Sequence, residues 1–340
     1  MAMSRRKFLL TTAVAGGALA VGYVALKPEE DTRLVFQKTA RGGEVALNAW
    51  IKIDATGTVT VAAPRAEMGQ GIYTALAMLV AEELDVDWKS VRVEDAPVHP
   101  VYANREMLRA ALPFEDGYHQ GENTSGAQFM GWLAEMLSAQ GTGGSTSIRD
   151  AWEPMRNAGA CARHMLVTAA AQKWNVPAAD CQAADGVITH KGSGKTLTYG
   201  DLATSASSLM PPENPPLKNA ADYKLIGKAV PRLDIADKTT GRAIFGVDVK
   251  TDGMLHAAVN VAPVMGGSLK SYDKDALGGM PGVVAVVALP TGIAVVADSW
   301  WHAKKAADSA VIEFNDGGNG SLSSEGIYKL LEENIQSGDP

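Results

Sequence analysis

The chain has 340 residues, 46% of them hydrophobic and 20% charged, which excludes wholesale disorder and is long enough for two domains. Its net charge of -7 excludes nucleic acid as the expected partner, because a nucleic-acid-binding domain is basic or carries a basic stripe. Its two cysteines are too few for a disulfide framework, a cysteine-rich zinc site or a protein-held iron–sulfur cluster.

The first residues have the form of an export signal. Arg5 and Arg6 precede an uncharged run, residues 8–26, that is diluted by glycine and alanine. A basic end before an apolar stretch is typical of such a signal, and the arginine pair resembles the twin-arginine type. The uncharged run also just reaches the span of a bilayer, so an uncleaved anchor at residues 8–26 stays open. We therefore predict that residues 1–27 are a twin-arginine signal or anchor and that the protein is periplasmic.

A first domain is predicted over residues 45–210, with helices and strands mixed. Alternating apolar and polar residues predict a hairpin from residues 48–54 and 58–63. The helical spacing of apolar residues predicts a helix over 71–85 and a long helix over 148–174. The other predicted elements are a strand around Val91, a helix over 127–139, and two extended runs, 183–189 and 196–199, around a glycine turn.

A proline-rich stretch marks the predicted domain boundary. Four prolines fall within six residues at 211–216, which predicts a stiff extended linker over 211–224. The following region, 225–318, is predicted to be an α/β domain whose core contains Trp300 and Trp301. Its predicted strands are 243–249, 255–261, 283–289, 293–297 and 311–314, and its predicted helix is 299–309. Residues 319–340 begin a further helix, so we expect the sequence to be the N-terminal part of a longer protein.

The first candidate ligand-binding segment is residues 67–71, Glu-Met-Gly-Gln-Gly, between a predicted strand and a predicted helix. Its two glycines allow the backbone to approach a ligand closely, and a helix start presents free N–H groups to an anion. The amide of Gln70 can both donate and accept a hydrogen bond. The same pattern is equally compatible with a glycine turn that only connects the strand to the helix.

The second candidate segment is residues 141–147, Gly-Thr-Gly-Gly-Ser-Thr-Ser, again just before a predicted helix. Its hydroxyl groups and exposed N–H groups form a plausible phosphate-binding concavity. The alternative is a flexible loop in which a serine caps the helix. Two such loops in one domain indicate a ligand with more than one phosphate, or a dinucleotide.

The remaining reactive residues offer weaker candidates. The six histidines show no metal-ligand spacing, so the sequence predicts no protein-held metal. Cys161 and Cys181 are predicted to be small buried hydrophobic residues rather than nucleophiles.

In combination, these segments resemble the molybdopterin-binding large subunits of the xanthine dehydrogenase and aldehyde oxidase family, in particular the isoquinoline 1-oxidoreductase beta-subunit type. The resemblance covers nearly everything after residue 44. It is carried by residues 67–71, 81–84, 142–147, 241–243, 245–248, 280–283, 295–298 and 321–324.

The resemblance implies an α+β chain in which a molybdopterin-binding α/β segment is followed by an α/β domain of the hammerhead type. It implies a molybdenum-molybdopterin cofactor in the cytosine dinucleotide form, with molybdenum held by the pterin's sulfurs and not by a protein cysteine. The residues that it places at the cofactor are Gly69, Gln70, Gly71, Gly143, Gly144, Ser145, Thr146 and Ser147.

The resemblance also implies an activity and partners. The family hydroxylates aldehydes or N-heterocycles with oxygen from water and passes electrons to a small [2Fe-2S] subunit, with a cytochrome c as a further acceptor. Its glutamate base would lie beyond residue 340, so no catalytic residue is assigned here. The alternative is a truncated or degenerate exported binding protein of the same family without catalysis.

Overall fold

The structure is a computed structural model that describes residues 31–110 and 125–337, so the predicted signal at residues 1–27 lies outside the described residues. It contains mixed helices and sheets, as the α+β prediction requires. The chain divides into two compact units between Ala243 and Ile244. The elements of the first unit are α1 (Arg33–Gln37), β1 (Val45–Asn48), β2 (Ile51–Ile53), β3 (Val59–Ala63), α2 (Ile72–Leu84), β4 (Val91–Asp95), α3 (Arg105–Arg109), α4 (Ser125–Met136), α5 (Ser147–Trp174), β5 (Cys181–Ala184), β6 (Val187–His190), β7 (Thr196–Thr198), α6 (Tyr199–Ser207) and α7 (Ile235–Thr239).

The first unit is built on a four-stranded sheet with the order β1-β2-β3-β4. The predicted hairpin is confirmed: β2 and β3 pair antiparallel with Ile51 opposite Val61. Strand β4 pairs parallel to β3, and α2 connects them. All five residues of β3 are buried, as expected for a strand covered on both faces. The β3-α2-β4 unit places residues 64–71 at the carboxyl end of β3 and the start of α2.

Helices α2 and α5 pack against each other in the core of this unit. Gly159 lies where the two helices approach closely, and an added Cβ there would stand 2.5 Å from the carbonyl oxygen of Val80. The buried side chains around this contact include Leu76, Leu84 and Met155. Pro154 lies inside α5, as its eighth residue. Two of the helices predicted from apolar spacing therefore contribute to this core, together with the sheet and α6.

A second, antiparallel sheet, β5-β6-β7, differs from the sequence prediction at one turn. The sequence predicts one extended run over residues 183–189, but Asp185 and Gly186 form a turn between β5 and β6 with φ values of 49° and 80°. Aspartate and glycine tolerate this left-handed conformation better than most residues. Helix α6 follows, and its start is closed by a reciprocal hydrogen-bond pair between Thr198 and Asp201.

Residues 211–243 lie differently from the predicted linker and domain boundary. They belong to the first unit and not to a domain that begins at residue 225. The carboxylate of Glu82 accepts backbone N–H groups from Lys224, Leu225 and Ile226 at 2.6–3.1 Å. The carboxylate of Glu83 accepts the N–H of Lys218 at 2.9 Å. Residues 216–226, here called the strap, are thus fastened to α2 by two buried acids.

The second unit has its own set of elements, which are β8 (His256–Val261), β9 (Ser268–Tyr272), α8 (Lys274–Gly278), β10 (Val283–Leu289), β11 (Gly292–Ala297), α9 (Trp300–Ser309), β12 (Ile312–Asn315) and α10 (Ser324–Ser337). They form a three-stranded antiparallel sheet with the order β10-β11-β8 and a two-stranded sheet of β12 and β9. The core of this unit contains Ile293, Val295 and Ala303, where α9 packs on the three-stranded sheet.

Two expectations for the second unit are wrong, and one strand was missed. Residues 243–249 form no strand but include a 3-10 turn at Gly246–Asp248. Strand β9 was not predicted, because Ser268–Tyr272 is mostly polar and its apolar residues do not alternate. Trp300 and Trp301 are 54% and 66% exposed and do not fill the core, since they occupy the first turn of α9, whose buried side is formed by alanines.

Among the helices that the structure describes, none combines the length and apolarity that crossing a membrane requires.

Candidate functional site

The two glycine-containing loops predicted from the sequence meet in the first unit. The N–H of Ala66 donates a hydrogen bond to Thr142 Oγ1 at 2.9 Å, which joins the end of β3 to the segment before α5. Between them lies an open cleft of about 370 Å³. The cleft is lined by Met68, Gln70, Gly71, Ile72, Ala75, Thr142, Gly143, Ser145, Ser147 and Ile148.

The first loop is organised around the carboxylate of Glu67. Its Oε1 accepts the N–H groups of Gly69 and Gly71 at 2.8 and 3.0 Å, and its Oε2 accepts that of Tyr73 at 3.2 Å. Partial burial acts to raise the pKa of Glu67, but these N–H groups outweigh it and hold the pKa below its ordinary value. An internal carboxylate therefore already neutralises the positive end of α2.

Gln70 closes the same loop from its other side. Its Oε1 accepts the N–H of Met68 at 2.6 Å, and its Nε2 donates to the carbonyl of Ala66 at 2.9 Å. Gly69 and Gly71 adopt φ values of 104° and 84°, which side chains other than glycine rarely allow. The amide of Gln70, which the sequence predicts to face a ligand, thus also holds the loop in shape at the edge of the cleft.

The second loop is held from below by a buried threonine. Thr146 Oγ1 donates to the carbonyl of Gly143 at 2.8 Å and accepts from Asn104 Nδ2 at 2.8 Å, and both side chains are fully buried. Gly144 and Ser145 have positive φ values of 60° and 54°. The loop is therefore a fixed turn whose outer side, including Ser145 and Ser147, faces the cleft.

The eight predicted residues occupy three kinds of position. The five that line the cleft are Gln70, Gly71, Gly143, Ser145 and Ser147. Gly69 is exposed in the first loop, and an added Cβ there would meet nothing within 4 Å. Gly144 and Thr146 do not line the cleft. Thr146 points into the protein, where it supports the loop.

A buried ion pair that the sequence analysis missed supports both loops. Arg65, two residues after β3, pairs with Asp150 in the first turn of α5 at 2.5 Å. Arg65 also donates to the carbonyls of Tyr102 and Ala103, and Asp150 accepts the N–H of Arg105 at 2.8 Å. The pair fixes the end of β3 relative to the start of α5. A charged residue two positions after a fully buried strand was the available signal for Arg65.

Arg232 is a second residue near the loops that the sequence analysis missed. Its guanidinium donates to the carbonyl of Gly69 at 3.0 Å and lies 3.3 Å from Glu67 Oε1. It also pairs with Asp234, whose pKa lies far below its ordinary value because of that contact and the nearby Lys238. An Arg-Leu-Asp triplet in a polar segment has no distinctive signal in the sequence.

The glycines leave room for a ligand at the cleft. At Gly143, which lines the cleft, an added Cβ would meet no other atom within 4 Å, and the backbone there is outside the left-handed region. Both the packing and the backbone conformation would therefore tolerate a side chain at this position. Such a side chain would project into open space. Open backbone next to serine hydroxyls allows a phosphate-bearing cofactor to approach closely.

Neither cysteine shows the features of a nucleophile. Cys161 and Cys181 are both buried and free, as predicted. Burial raises the pKa of the Cys161 thiol to about 11, so it is protonated at neutral pH. Within residues 31–110 and 125–337, no group of three or more histidine, cysteine or acidic side chains is arranged to hold a metal ion.

Comparison with known proteins identifies the family. A family model described as a molybdopterin cofactor-binding domain matches residues 18–99, which include the first loop. The chain is 32% identical to the beta subunit of isoquinoline 1-oxidoreductase from Brevundimonas diminuta, over 86% of this chain and 38% of that protein. It is 29% identical to a membrane-bound aldehyde dehydrogenase (pyrroloquinoline-quinone) of Gluconacetobacter polyoxogenes, over 93% of this chain and 38% of that protein.

A third relative is a nicotinate dehydrogenase subunit of Pseudomonas putida, with 30% identity over 79% of this chain and 20% of that protein. The chain thus spans less than two fifths of the length of each of these relatives. The family model and the first two relatives, which match nearly the whole chain, indicate the same family. The paired loops fit that family. The chain belongs to the molybdopterin-binding subunits of the xanthine dehydrogenase and aldehyde oxidase family, of the isoquinoline 1-oxidoreductase beta-subunit type.

Proposed function

We propose that this chain is the cofactor-binding part of an exported molybdenum hydroxylase that oxidises aldehydes or N-heterocycles with oxygen from water. The observation that carries the proposal is the cleft between residues 67–71 and 142–147. The family resemblance implies a cofactor role for both loops without reference to their proximity, and they are 70 residues or more apart along the chain.

The two loops would have different tasks at the cofactor. Glu67 already occupies the N–H groups at the start of α2, and a phosphate placed there would meet a like charge. The hydroxyl-bearing loop before α5 offers Ser145 and Ser147 as donors and the positive end of a 28-residue helix. We therefore assign the pyrophosphate of a cytosine dinucleotide form to the α5 side, and the pterin to the side of Gln70.

In this arrangement the protein binds and orients, and the cofactor carries the reaction. When bound, the molybdenum cofactor supplies the hydroxylation chemistry and takes up the electrons of the oxidised substrate. Gly71 and Gly143 allow close backbone approach, and Thr146 and the Arg65–Asp150 pair hold the loops that surround it. The glutamate base of the family would come from residues outside this sequence.

The names of the relatives suggest the substrate class and the partners. Isoquinoline and nicotinate are N-heterocycles, and another relative is named for aldehydes. Two relatives are named as subunits, which supports further subunits here. We propose a small [2Fe-2S] subunit as the electron acceptor, with a cytochrome c beyond it.

Two alternatives remain to be tested against this function. One is a truncated or degenerate exported binding protein without catalysis. The other follows from the relative whose name specifies pyrroloquinoline quinone. Metal analysis and the absorption spectrum of the purified protein distinguish the two cofactors, since only one of them contains molybdenum.

Gly143→Ala tests the cofactor cleft directly. An added methyl at this position has no atom within 4 Å and no backbone strain, so the fold should be unchanged while the cleft is partly filled. We expect a clear loss of molybdenum per protein with an unchanged melting temperature. Gly126→Ala is the matched control, because Gly126 is equally open but does not line the cleft. Wild-type molybdenum content in Gly143→Ala would contradict the assignment.

Export by the twin-arginine route is part of the proposal. It is supported by Arg5 and Arg6 before a glycine-diluted apolar run and by the chemistry of the function, since this route carries folded proteins and the cofactor must be inserted before export. The protein would then reside in the periplasm, either free or anchored by residues 8–26.

A further inference from the structure

The segment of residues 231–234 runs beside the first loop of the cleft and is fastened there by its backbone. The indole N–H of Trp88 donates to the carbonyl of Pro231 at 3.1 Å. The N–H of Leu233 donates to Thr74 Oγ1 at 3.1 Å, in the first turn of α2. Neither bond uses the side chain of Arg232. The segment therefore stays in place when that side chain is changed.

The side chain of Arg232 reaches from this segment to the loop. Nη1 donates to the carbonyl of Gly69 at 3.0 Å, and Nη2 lies 3.3 Å from Glu67 Oε1. On its other side the guanidinium is aligned by Asp234, which accepts from Nε at 2.9 Å and from Nη2 at 2.7 Å. Asp234 is itself held by Lys238 Nζ at 2.5 Å. The guanidinium is thus oriented before it contacts the loop.

The contact with Arg232 restrains the conformation of residues 67–71. Met68, Gly69 and Gln70 are exposed, and two glycines give the unrestrained chain many alternative conformations. The acceptors that Arg232 holds are the carbonyl of one of these glycines and the carboxylate of Glu67, which organises the loop. Holding both removes freedom at the middle and at the beginning of the loop.

We propose that Arg232 is a positioning residue that holds residues 67–71 in the conformation that lines the cofactor cleft. It acts through Gly69 and Glu67 and does not line the cleft itself. The inference rests on the proposed function for its purpose, but the clamp itself is a property of the cofactor-free protein.

The chemistry of the contact predicts how substitutions behave. A guanidinium presents several N–H groups in a planar fork, whereas a lysine ammonium is a single point charge on a flexible stem. Arg232→Lys should keep the charge but not the simultaneous contacts to Gly69, Glu67 and Asp234. Arg232→Gln should lose both. Because the guanidinium is partly exposed, the charge-dependent part of its effect should weaken with salt.

Hydrogen exchange tests the clamp in the complete protein, prepared from cells that cannot make the cofactor. We expect amide exchange in residues 66–73 to be several-fold faster in Arg232→Gln, and less so in Arg232→Lys. Exchange in residues 181–190, the hairpin of β5 and β6, should match the wild type. Arg242→Gln is the control, since Arg242 forms an exposed ion pair with Asp237 at 3.0 Å and does not contact the loop.

A second measurement connects the clamp to the cleft. Molybdenum retained after gel filtration of the cofactor-loaded protein should fall several-fold in Arg232→Gln at low salt, and wild-type retention should itself decline at high salt. Unchanged exchange in residues 66–73, or equally faster exchange in residues 181–190, would overturn the clamp. Faster exchange with full molybdenum retention would overturn its role at the cleft. A wild-type protein that binds no molybdenum would refute the proposed function, while the exchange result would still decide the clamp.

Discussion

The carboxylate of Asp150 lies 2.5 Å from the guanidinium of Arg65, and the two side chains are 9% and 1% exposed. Arg65 follows the strand before the first loop, and Asp150 lies in the first turn of the helix after the second. One buried ion pair therefore connects the supports of both loops. Removing one partner of such a pair leaves an uncompensated charge in the interior.

Asp150→Asn should accordingly destabilise the protein by about 3–5 kcal/mol, because the Arg65 guanidinium would stay buried without its counter-charge. Chemical denaturation of the purified protein measures this loss. Asp237→Asn removes the partner of an exposed arginine and should change the free energy of unfolding by less than about 0.5 kcal/mol. Equal small effects from both substitutions would show that the buried pair is not a structural support.

Gly159→Ala tests the close packing of α2 and α5. An added Cβ would stand 2.5 Å from the carbonyl oxygen of Val80, so the helices must separate. Overpacking of this kind costs about 1–3 kcal/mol, which thermal denaturation would show as a lower melting temperature. Gly126→Ala, on an open part of α4, should instead be neutral or stabilising by up to about 1 kcal/mol, because alanine favours a helix. A Gly159→Ala protein as stable as the wild type would contradict the observed contact.

The strap should be released by acid through Glu82. Burial acts to raise the pKa of Glu82, but the N–H groups of Leu225, Ile226 and Lys224 and the ammonium of Lys218 outweigh it, so its pKa lies below the ordinary value of 4.5. A lowered folded pKa means that the contribution to stability is complete above pH 4.5 and is lost as the pH falls through the folded pKa. Protease cleavage within residues 216–226 should therefore increase below pH 4.5.

Glu82→Gln should show the same release at neutral pH. The three strap N–H groups all donate to Glu82 Oε2, and an amide oxygen in that place would accept them without the negative charge. The amide NH2 would replace the oxygen that accepts from Lys218 Nζ. Loss of these charge-assisted hydrogen bonds should cost about 1–3 kcal/mol. Cleavage in the strap should then be fast at pH 7 and largely independent of pH. Glu213→Gln is the control, because Glu213 lies just before the strap but is exposed. A strap as resistant as the wild type would refute the role of Glu82.

Gln70→Ala separates a loop that binds the cofactor from a loop that only connects two elements. The side chain is exposed and makes its two hydrogen bonds within the loop, so stability should change by less than about 0.5 kcal/mol. Molybdenum per protein should nevertheless fall, because the substitution removes an amide from the cleft and loosens its edge. Loss of molybdenum only in step with unfolding, or no loss, would remove this residue from the proposed site.

Replacement of Arg5 and Arg6 by lysine tests export. Because the twin-arginine signal depends on the arginine pair, the variant should stay in the cytoplasm while the wild type reaches the periplasm. Fractionation of cells followed by immunoblotting measures the distribution. Normal export of the double variant would refute this route.

Sequence patterns alone predicted the elements in which apolar residues recur at a regular spacing. The apolar residues within 72–84 recur with the period of a helix, which brings their side chains to one face, so the pattern predicts α2. Gly69 and Gly71 predict a loop, because glycine adopts backbone angles that few other residues allow, and both have positive φ values in the structure. The resemblance named the two segments that would face the cofactor. Each of these inferences depends on residues that are neighbours in the sequence.

The contacts between distant segments were decided only by the tertiary structure. The proline-rich residues 211–216 indicate a linker from composition, yet the strap is fastened because Glu82 and Glu83, more than 130 residues earlier, face its backbone N–H groups. The same holds for Arg65 with Asp150 and for Arg232 with Gly69. A charged side chain has no periodicity that identifies its partner, since the pairing depends on which surfaces the packed helices and strands bring together.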